Sequence, residues 1–352
     1  MHRYVLNGLM AGSLTVAHVV SSATAYELEQ IPTDRGNVPL YLPSDIAPGE
    51  RLPLVVSLHG FTGTGPAHEN YFNLRSQIDD RRFMLCVPQG IRNSDGDRFW
   101  NATNFCCDYE FQRPNDSGFL RGLIEIIADQ KPTDLGSIHV TGHSNGGFMA
   151  YRMACDHADL IASAASLAGA TYSNPSDCVP SEPVHILQIH GTADDTIEYG
   201  GRCIIPFFFC YPGARESVEI WADYNLCSSA AKDLGRLDLD GRISGAETSR
   251  LRFGDCPDYG SAELWTIDGG SHGPNFNGNY SPELIDWLLS NRRPDPLACD
   301  ADFDGSGSVN GADLSKLLAA WGGDSTVFDL DADGIVGGGD LAILLTGWGS
   351  CP

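Results

Sequence analysis

The Gly-x-Ser-x-Gly motif at residues 142–146 restricts the fold of this chain more than any other feature of its sequence. Residues 137–141 before it predict a short buried strand, and residues 147–155 after it predict a helix. The glycines let the chain bend sharply between these elements, so the Ser144 hydroxyl would stand exposed above a sheet. The N-terminus of the helix behind Ser144 would favour negative charge there. Because the chain has 40 glycines, the motif gains weight only from its context.

Strands and helices alternate on both sides of this motif. Strands are predicted at residues 52–58, 83–88, 137–141, 184–190 and 264–267, and helices at residues 67–78, 116–129, 147–155, 214–224 and 282–289. The run at 52–58 is continuously apolar, as is typical of a parallel strand that is buried on both faces. The alternation predicts an α/β fold with a doubly wound, mostly parallel sheet covered by helices on both faces.

Three polar residues follow predicted strands in the chain order Ser, Asp, His. Ser144, Asp194 and His272 each come just after such a strand, and Asp195 is the alternative to Asp194. The carboxyl ends of parallel strands lie at one edge of a sheet, so we expect the three side chains to meet there. In that arrangement His272 would take the proton of Ser144, while Asp194 would hold the imidazole tautomer and stabilise its cation.

A glycine-rich loop follows the apolar strand at 52–58. We assign the backbone N–H groups of Phe61, in this loop, and of Asn145 to an oxyanion hole. Each such donor would lower the barrier by roughly 3 kcal/mol. The alternative for the Phe61 loop is an ordinary turn at the end of a strand, without chemistry.

Three consecutive phenylalanines lie between two nearby cysteines. Phe207, Phe208 and Phe209 stand between Cys203 and Cys210, in a loop too short to form a core of its own. One interpretation is a loop packed against the domain. The other is an apolar lip over the active site that binds the acyl group of a substrate.

The N-terminus and the cysteines predict a secreted protein. Residues 1–25 resemble a signal peptide with cleavage after Ala25, and a short membrane anchor is the alternative. No other stretch is long and apolar enough to span a bilayer. Eleven cysteines in a secreted chain imply disulfides, with at least one cysteine unpaired. We expect the pairs Cys203–Cys210, Cys227–Cys256 and Cys299–Cys351, and we expect the adjacent Cys106 and Cys107 not to bond each other.

The acidic character of the chain limits the kinds of partner that it can bind. A formal net charge of −24 argues against nucleic acid or an anionic membrane as a partner.

A polar, proline-containing linker at residues 294–298 precedes an acidic internal repeat, residues 302–322 and 329–349. Residues 237–244 also resemble a calcium loop, but Arg236 occupies its first ligand position, so we predict a hairpin there.

Each repeat begins with a twelve-position loop that offers oxygen atoms at the spacing of a calcium site. A flexible acidic tail is the alternative, but a leucine- and tryptophan-containing helix is predicted after each loop. The repeats therefore predict two structural Ca²⁺ sites, and no cofactor is expected for catalysis. The predicted ligands are Asp302, Asp304, Ser306, Ser308 and Asp313 in the first loop, and Asp329, Asp331, Asp333, Ile335 and Asp340 in the second, with Ser308 and Ile335 acting through their carbonyl oxygens.

Residues 50–290 resemble the secreted α/β-hydrolases of the polyhydroxybutyrate depolymerase and feruloyl esterase family. The matching motifs are Leu58-His59-Gly60, Pro88-Gln89-Gly90, Trp100-Asn101 with Cys106-Cys107, Gly142-His143-Ser144-Asn145-Gly146-Gly147, His190-Gly191-Thr192-Ala193-Asp194 and Gly269-Gly270-Ser271-His272. Within these motifs we assign His59 and Trp100 to substrate binding. The chain departs from the family at Asp108, where a glycine is usual, and at Gly273-Pro274, near which the family often has Trp-Pro.

The repeat at the C-terminus resembles a type I dockerin, a small all-α calcium-binding module that binds cohesin proteins. Loop positions ten and eleven, which help to choose the partner in dockerins, are Gly311-Ala312 and Gly338-Gly339 here. The resemblances imply four parts: a signal peptide (1–25), a catalytic domain (26–293), a linker (294–298) and a dockerin-like module (299–352).

Together they imply a secreted serine esterase that cleaves feruloyl, acetyl or hydroxyalkanoate esters, with a polymer-linked substrate. Its C-terminal module would bind a cohesin-type partner. The alternatives are an exopeptidase of the same fold and a non-catalytic, calcium-dependent binding protein.

Overall fold

The computed structural model describes the chain from residue 26 to residue 350 with short gaps. The described residues are 26–205, 209–257, 259–294, 300–304, 306, 308–325 and 327–350. The predicted signal peptide, Phe207, Phe208, the predicted pair Cys299–Cys351 and most of the linker lie outside these residues.

A ten-stranded sheet forms the centre of the fold. Its strands are β1 (Glu27–Thr33), β2 (Gly36–Leu42), β3 (Leu52–Leu58), β4 (Met84–Cys86), β7 (Thr133–His143), β8 (Ser163–Leu167), β9 (His185–Gly191), β12 (Lys232–Leu237), β13 (Thr248–Phe253) and β14 (Ala262–Ile267). They are arranged in the order β1-β2-β4-β3-β7-β8-β9-β14-β13-β12. The central strands from β4 to β14 pair in parallel, and an antiparallel hairpin lies at each edge. The expected mostly parallel sheet is thus confirmed.

Smaller elements lie outside this sheet. Short antiparallel pairs join β5 (Ile91–Arg92) to β6 (Arg98–Phe99) and β10 (Gly201–Ile205) to β11 (Phe209–Pro212). The helices are α1 (Gly65–Phe72), α2 (Ile78–Arg81), α3 (Asp116–Gln130), α4 (Asn145–Asp156), α5 (Ala214–Tyr224) and α6 (Tyr280–Ser290), with 3₁₀ turns at Leu74–Gln77 and Pro175–Asp177.

Helices cover both faces of the sheet. Strand β3 shows why: Leu54 and Val56 belong to one buried cluster, whereas Val55 belongs to the other. Helices α3, α4 and α5 pack on the first cluster, and α1, α2 and α6 pack on the second. Because side chains alternate between the faces of a strand, burial of both faces produces the continuous apolar run of this segment.

The predicted helix at 67–78 is broken in the structure. Helix α1 ends at Phe72, and Asn73 follows with a φ of 54°. This left-handed conformation at the helix end is one that asparagine adopts more readily than most residues. The chain then continues as a 3₁₀ turn and the short helix α2. The edge hairpin β1–β2 was not predicted.

Four disulfides are present in the described part of the chain. The predicted bonds Cys203–Cys210 and Cys227–Cys256 are confirmed. The expectation for the adjacent cysteines was wrong, because Cys106 and Cys107 bond each other across a cis peptide bond. A fourth bond, Cys155–Cys178, was not predicted, and Cys86 is a free, buried thiol.

The segment after β12 forms the expected hairpin with a longer loop than predicted. Strands β12 and β13 pair around residues 238–247 rather than around a two-residue turn. The Glu247 carboxylate closes this loop by accepting the N–H groups of Leu239 and Asp240.

The C-terminal segment has a small buried cluster of its own. Helices Gly311–Ala319 and Gly338–Thr346 contact each other, and their Leu317 and Leu344 share one buried cluster with Val309 and Val336. Short strands at Ser308–Val309 and Gly349–Ser350 pair with each other. Among the helices of the described ranges, none is long and apolar enough to cross a bilayer.

We predict that stability falls on acidification because several histidines are buried in neutral form. Burial lowers the pKa of His59, His143 and His185 to about 4 and that of His139 to about 3. In the unfolded chain these groups bind protons below a pKa of about 6.5. Protonation of the unfolded state therefore begins to favour unfolding at about pH 6.5, and the loss continues until the folded-state pKa is reached.

The measurement is the thermal unfolding midpoint at a series of pH values from about 7.5 to about 4. His139 bonds only the hydroxyls of Ser137 and Ser163 among the described residues. Replacing it with glutamine should therefore make the midpoint less dependent on pH. An unchanged slope in H139Q would show that this histidine is not held neutral.

Candidate active site

The turn between β7 and α4 has the geometry that the motif predicts. Ser144 adopts φ 55° and ψ −119°, a conformation that non-glycine residues rarely adopt. A Cβ atom added to Gly146 would lie 2.1 Å from the Leu58 carbonyl oxygen, and one on Gly142 would lie 2.4 Å from the Gly146 carbonyl carbon. Only glycine therefore fits at both positions, which explains the spacing of the motif.

Asp194 and His272 are joined at the carboxyl ends of the neighbouring strands β9 and β14. His272 Nδ1–H donates to Asp194 Oδ2 at 2.8 Å. The other carboxylate oxygen, Oδ1, accepts the N–H groups of Thr196 and Ile197 at 2.9 Å each. With Nδ1 as the donor, Nε2 of a neutral His272 is free to accept a proton. Asp195 is exposed and bonds only the neighbouring Thr196 hydroxyl, so the geometry favours Asp194 over its alternative.

A second histidine helps to keep Asp194 ionised. Burial alone would raise the pKa of Asp194, but hydrogen bonds from His190 and His272 hold it well below its usual range. His190 Nε2–H donates to the Ile197 carbonyl at 2.8 Å and lies 3.2 Å from Asp194 Oδ2. Since Gln188 donates to the other ring nitrogen of His190, we assign the neutral tautomer to this ring.

His143 links the Ser144 turn to the loop that carries His272. Its Nε2–H donates to the His272 carbonyl oxygen at 2.8 Å, and the two rings lie 4.9 Å apart. Burial lowers the pKa of His143 to about 4, so the ring is neutral at physiological pH. Within the described part of the chain, the Ser144 hydroxyl itself has no hydrogen-bond partner. The sequence did not predict this role of His143, because His143 occupies an x position of the Gly-x-Ser-x-Gly motif, where any residue type is allowed.

The two predicted oxyanion donors are free to bind a ligand. Among the described residues, neither the Phe61 N–H nor the Asn145 N–H has a hydrogen-bond partner. A Cβ placed on Gly60 would lie 3.4 Å from Ser144 Cβ, so the Phe61 loop lies directly beside Ser144. The Asn145 side chain bonds both the N–H and the carbonyl oxygen of Trp100, at 2.7 and 2.8 Å. This pair of bonds fixes the first turn of α4.

Comparison with known proteins identifies the family. The family model described as putative esterase matches residues 30–234, which is more than half of the chain. The chain belongs to this esterase family. Its solved structural neighbours include the acetyl xylan esterase from Aspergillus awamori, with a TM-score of 0.53 and 18% identity over 74% of this chain and 99% of that one. At this identity the match shows a shared fold.

Curated relatives of the esterase are distant in sequence. It is 29% identical to the putative esterase NocK of Nocardia uniformis subsp. tsuyamanensis, over 45% of this chain and 44% of the relative. It is 25% identical to feruloyl esterase B of Piromyces equi, over 65% and 41%. It is 26% identical to poly(3-hydroxyalkanoate) depolymerase C of Paucimonas lemoignei, over 59% and 50%. The esterase thus spans half or less of the length of each of these relatives.

The expected substrate-binding roles of His59 and Trp100 are corrected by the structure. Both side chains of the esterase are fully buried, so neither offers a surface to a ligand. His59 Nδ1–H donates to the Gly60 carbonyl, and its Nε2 accepts the Gly90 N–H. Trp100 Nε1–H donates to the His59 carbonyl oxygen. These two residues hold the Phe61 loop in place instead of contacting substrate.

The phenylalanine loop is only partly described. Phe209 is 37% exposed at the start of β11, whereas Phe207 and Phe208 lie outside the described residues. The disulfide Cys203–Cys210 closes the loop, as expected. The hypothesis of an apolar lip therefore remains a prediction, and Phe209 is the exposed residue of that lip that the structure describes.

The C-terminal repeats bring acidic side chains together twice. Carboxylate oxygens of Asp302, Asp304 and Asp313 lie within 4.8 Å of one another, and so do those of Asp329, Asp331 and Asp333. Hard oxygen donors at this separation fit a Ca²⁺ ion. Of the remaining predicted ligands, the Ser308 carbonyl accepts the Ser306 hydroxyl, and Ile335 N–H donates to Asp333. Asp340 is buried and closes the second loop by accepting the N–H groups of Leu330, Asp331 and Gly337.

Proposed function

We propose that this protein is a secreted serine carboxylic-ester hydrolase that works through an acyl-enzyme. Ser144 is the nucleophile, His272 the general base and acid, and Asp194 the residue that orients His272. The observation that carries this proposal is the 2.8 Å hydrogen bond between Asp194 and His272, at the sheet edge where Ser144 stands in its constrained turn. The four disulfides support secretion, because such bonds persist in oxidising compartments.

The proposed reaction uses each group once in each half-cycle. Ser144 Oγ attacks the ester carbonyl carbon while His272 Nε2 takes its proton. The carbonyl oxygen, now negative, accepts the N–H groups of Phe61 and Asn145. The tetrahedral intermediate collapses, and His272 gives its proton to the departing alcohol. Water then attacks the acyl-enzyme by the same steps and releases the acid.

The proposed substrate is an ester attached to a polymer. Support comes from the names of relatives, which include feruloyl esterase B, the bifunctional acetylxylan esterase/xylanase XynS20E and poly(3-hydroxyalkanoate) depolymerase C. The test of the reaction class is rapid-mixing hydrolysis of p-nitrophenyl acetate. We expect a burst of p-nitrophenol equal to the enzyme concentration, followed by slower turnover.

For the C-terminal segment we propose two structural Ca²⁺ sites in a dockerin-like module. The clustered carboxylates at 302–313 and 329–333 would hold the ions, and the repeat would present a surface to a cohesin-type protein. Calcium would cancel the repulsion within each cluster and order the two loops. A module this small buries only a few apolar side chains, so metal binding would supply much of its stability.

We predict that chelation unfolds this module without unfolding the catalytic domain. In calorimetric titration the full chain should bind two Ca²⁺ ions, and D329A should bind one. The far-UV circular dichroism of the full chain should lose helical signal when EDTA is added. The matched control is D324A, because Asp324 is an exposed carboxylate outside both clusters. Identical spectra with Ca²⁺ and with EDTA would contradict the proposal.

A further inference from the structure

A cavity of about 240 Å³ lies between strand β2, the small hairpin β5–β6 and helix α3. Of the described residues, those that line it include none of the proposed triad or oxyanion hole, so the cavity is separate from the proposed active site. Pockets for drug-sized ligands usually begin at about 300 Å³. This smaller cavity would therefore take one small molecule or one unit of a polymer.

Two arginines supply all the charge in the cavity wall. Arg35 and Arg98 line the cavity, and no aspartate or glutamate in the described part of the chain does so. The chain as a whole has the opposite character, with 46 acidic and 22 basic residues. A ligand in this cavity would thus lie next to positive side chains in an otherwise acidic protein, which favours an anion.

Arg98 has no counter-ion. Its guanidinium donates one hydrogen bond, to the Gly90 carbonyl oxygen at 2.7 Å, and its Nε is buried without a partner. No carboxylate within the described ranges pairs with it. Burial lowers the pKa of Arg98, and the positive charge of Arg92 lowers it further. Because a partly buried charge without a partner is costly, an anion bound beside Arg98 would relieve that cost.

Arg35 is held firmly in the same wall. Its guanidinium pairs with the buried carboxylate of Asp116 and stacks on the ring of Phe119, 4.1 Å from the ring centre. The Asp116 carboxylate neutralises much of the charge of Arg35. Arg98 is therefore the main attraction for an anion, and Arg35 forms a rigid part of the cavity.

The rest of the wall offers amide groups and apolar surface. The side-chain amides of Asn37 and Gln89 have no hydrogen-bond partner among the residues that the structure describes. They are free to bind hydroxyl groups, while Val38 and Ile91 present apolar surface to C–H groups. The planar guanidinium of Arg98 matches a carboxylate, which it can bind through two parallel hydrogen bonds. Carboxylate, hydroxyls and C–H faces occur together in a sugar acid.

The cavity is a neighbour of the proposed active site, because its wall bonds the loop of Phe61. The Gly90 N–H donates to His59 Nε2 at 3.0 Å. The Arg98 carbonyl oxygen accepts the N–H of Thr62, the residue after Phe61, at 2.8 Å. The loop that carries a proposed oxyanion donor is thus bonded directly to two residues of the cavity wall.

We propose that this cavity binds the carboxylate of a sugar acid, such as a uronic acid unit of a polymer, through the guanidinium of Arg98. The inference goes beyond the proposed esterase function and does not require it, since no residue of the reaction takes part. The net charge of the chain does not prevent such binding. Exposed charges more than about 10 Å away are largely screened at 0.1 M salt, whereas a contact with Arg98 is not.

The test is calorimetric titration of the full chain with sodium glucuronate and with glucose, which differ only in the carboxylate. We expect glucuronate to bind at least about tenfold more tightly, as a charge-assisted hydrogen bond allows. R98Q should remove this difference, and R98K should keep part of it, because lysine retains the charge without the planar fork. N37A, at an exposed residue, should weaken glucuronate binding less than R98Q does.

The matched control is R215Q, which removes an exposed arginine whose side chain bonds only Glu219 among the described residues. It should bind glucuronate as the wild type does. S144A should do so as well, so failure of the proposed nucleophile would not affect this result.

Two results would overturn the inference. One is equal affinity for glucuronate and glucose in the wild type, or an unchanged affinity for glucuronate in R98Q and R98K. The other concerns acetate, an acid that ester hydrolysis releases. If acetate binds as tightly as glucuronate, the cavity recognises a bare carboxylate and the assignment to sugar acids is wrong.

Discussion

Replacing Ser144 with alanine is expected to lower kcat for ester hydrolysis by about 10⁶-fold, as loss of the nucleophile does in other serine hydrolases. The substitution removes the oxygen atom that would attack the carbonyl carbon. His272, oriented by Asp194, then has no serine proton to accept. Some hydrolysis above the rate in water should remain, since the oxyanion donors can still polarise a bound ester. The measurement is steady-state release of p-nitrophenol, together with loss of the initial burst.

The fold should tolerate this change. In the described structure the Ser144 hydroxyl has no hydrogen-bond partner, so its removal breaks no internal bond. The unfolding midpoint of S144A should therefore stay close to that of the wild type. S244A is the matched control, because Ser244 is exposed and its hydroxyl also lacks a partner among the described residues. Activity of S144A within tenfold of the wild type would show that another residue is the nucleophile.

Replacing Asp194 with asparagine is expected to lower kcat by about 10⁴-fold through the tautomer of His272. Oδ1 of Asp194 accepts two backbone N–H groups, so an asparagine would keep its carbonyl oxygen at that position. Its NH₂ group would then face His272 and donate to Nδ1. The imidazole would carry its proton on Nε2, where it cannot accept the proton of Ser144.

The comparison variant for this prediction is D195N. It makes the same chemical change one residue away, at an exposed carboxylate that does not contact His272. We expect D195N to retain wild-type kcat within about twofold, as is usual for surface changes. If D195N loses activity while D194N keeps it, the alternative acid is the functional one and the site geometry has been misassigned.

The positions of Ser144, Asp194 and His272 could be predicted because each follows a strand of a parallel sheet. The glycine spacing is a local signal, and the chain order Ser, Asp, His can be read directly from the sequence. Strand β3 was predicted with its observed bounds. The bonds that connect these residues could not be predicted in the same way. The link from His143 to the His272 carbonyl joins residues far apart in the chain. It exists only because strands β7 and β14 end at the same edge.

The same reason explains the predictions that were wrong or missing. His59 and Trp100 were assigned to substrate binding because they lie in motifs near the site, but proximity in sequence says nothing about which way a side chain points. The structure turns both inward, where they bond the backbone of the Phe61 loop. Likewise, Cys155 lies in α4 and Cys178 follows β8, and the two meet because α4 packs against β8, a tertiary contact that their spacing does not reveal.

The most direct test of the proposed mechanism is to locate the acyl group during turnover. The enzyme would be quenched in acid during the burst with p-nitrophenyl acetate, digested and examined by tandem mass spectrometry. We predict one acetyl group on the Ser144 oxygen. In D194N we expect more of this acetyl-enzyme if the substitution slows deacylation more than it slows acylation. An acetyl group on any other side chain, or none on Ser144 while the burst is in progress, would contradict the assignment of Ser144 as the nucleophile.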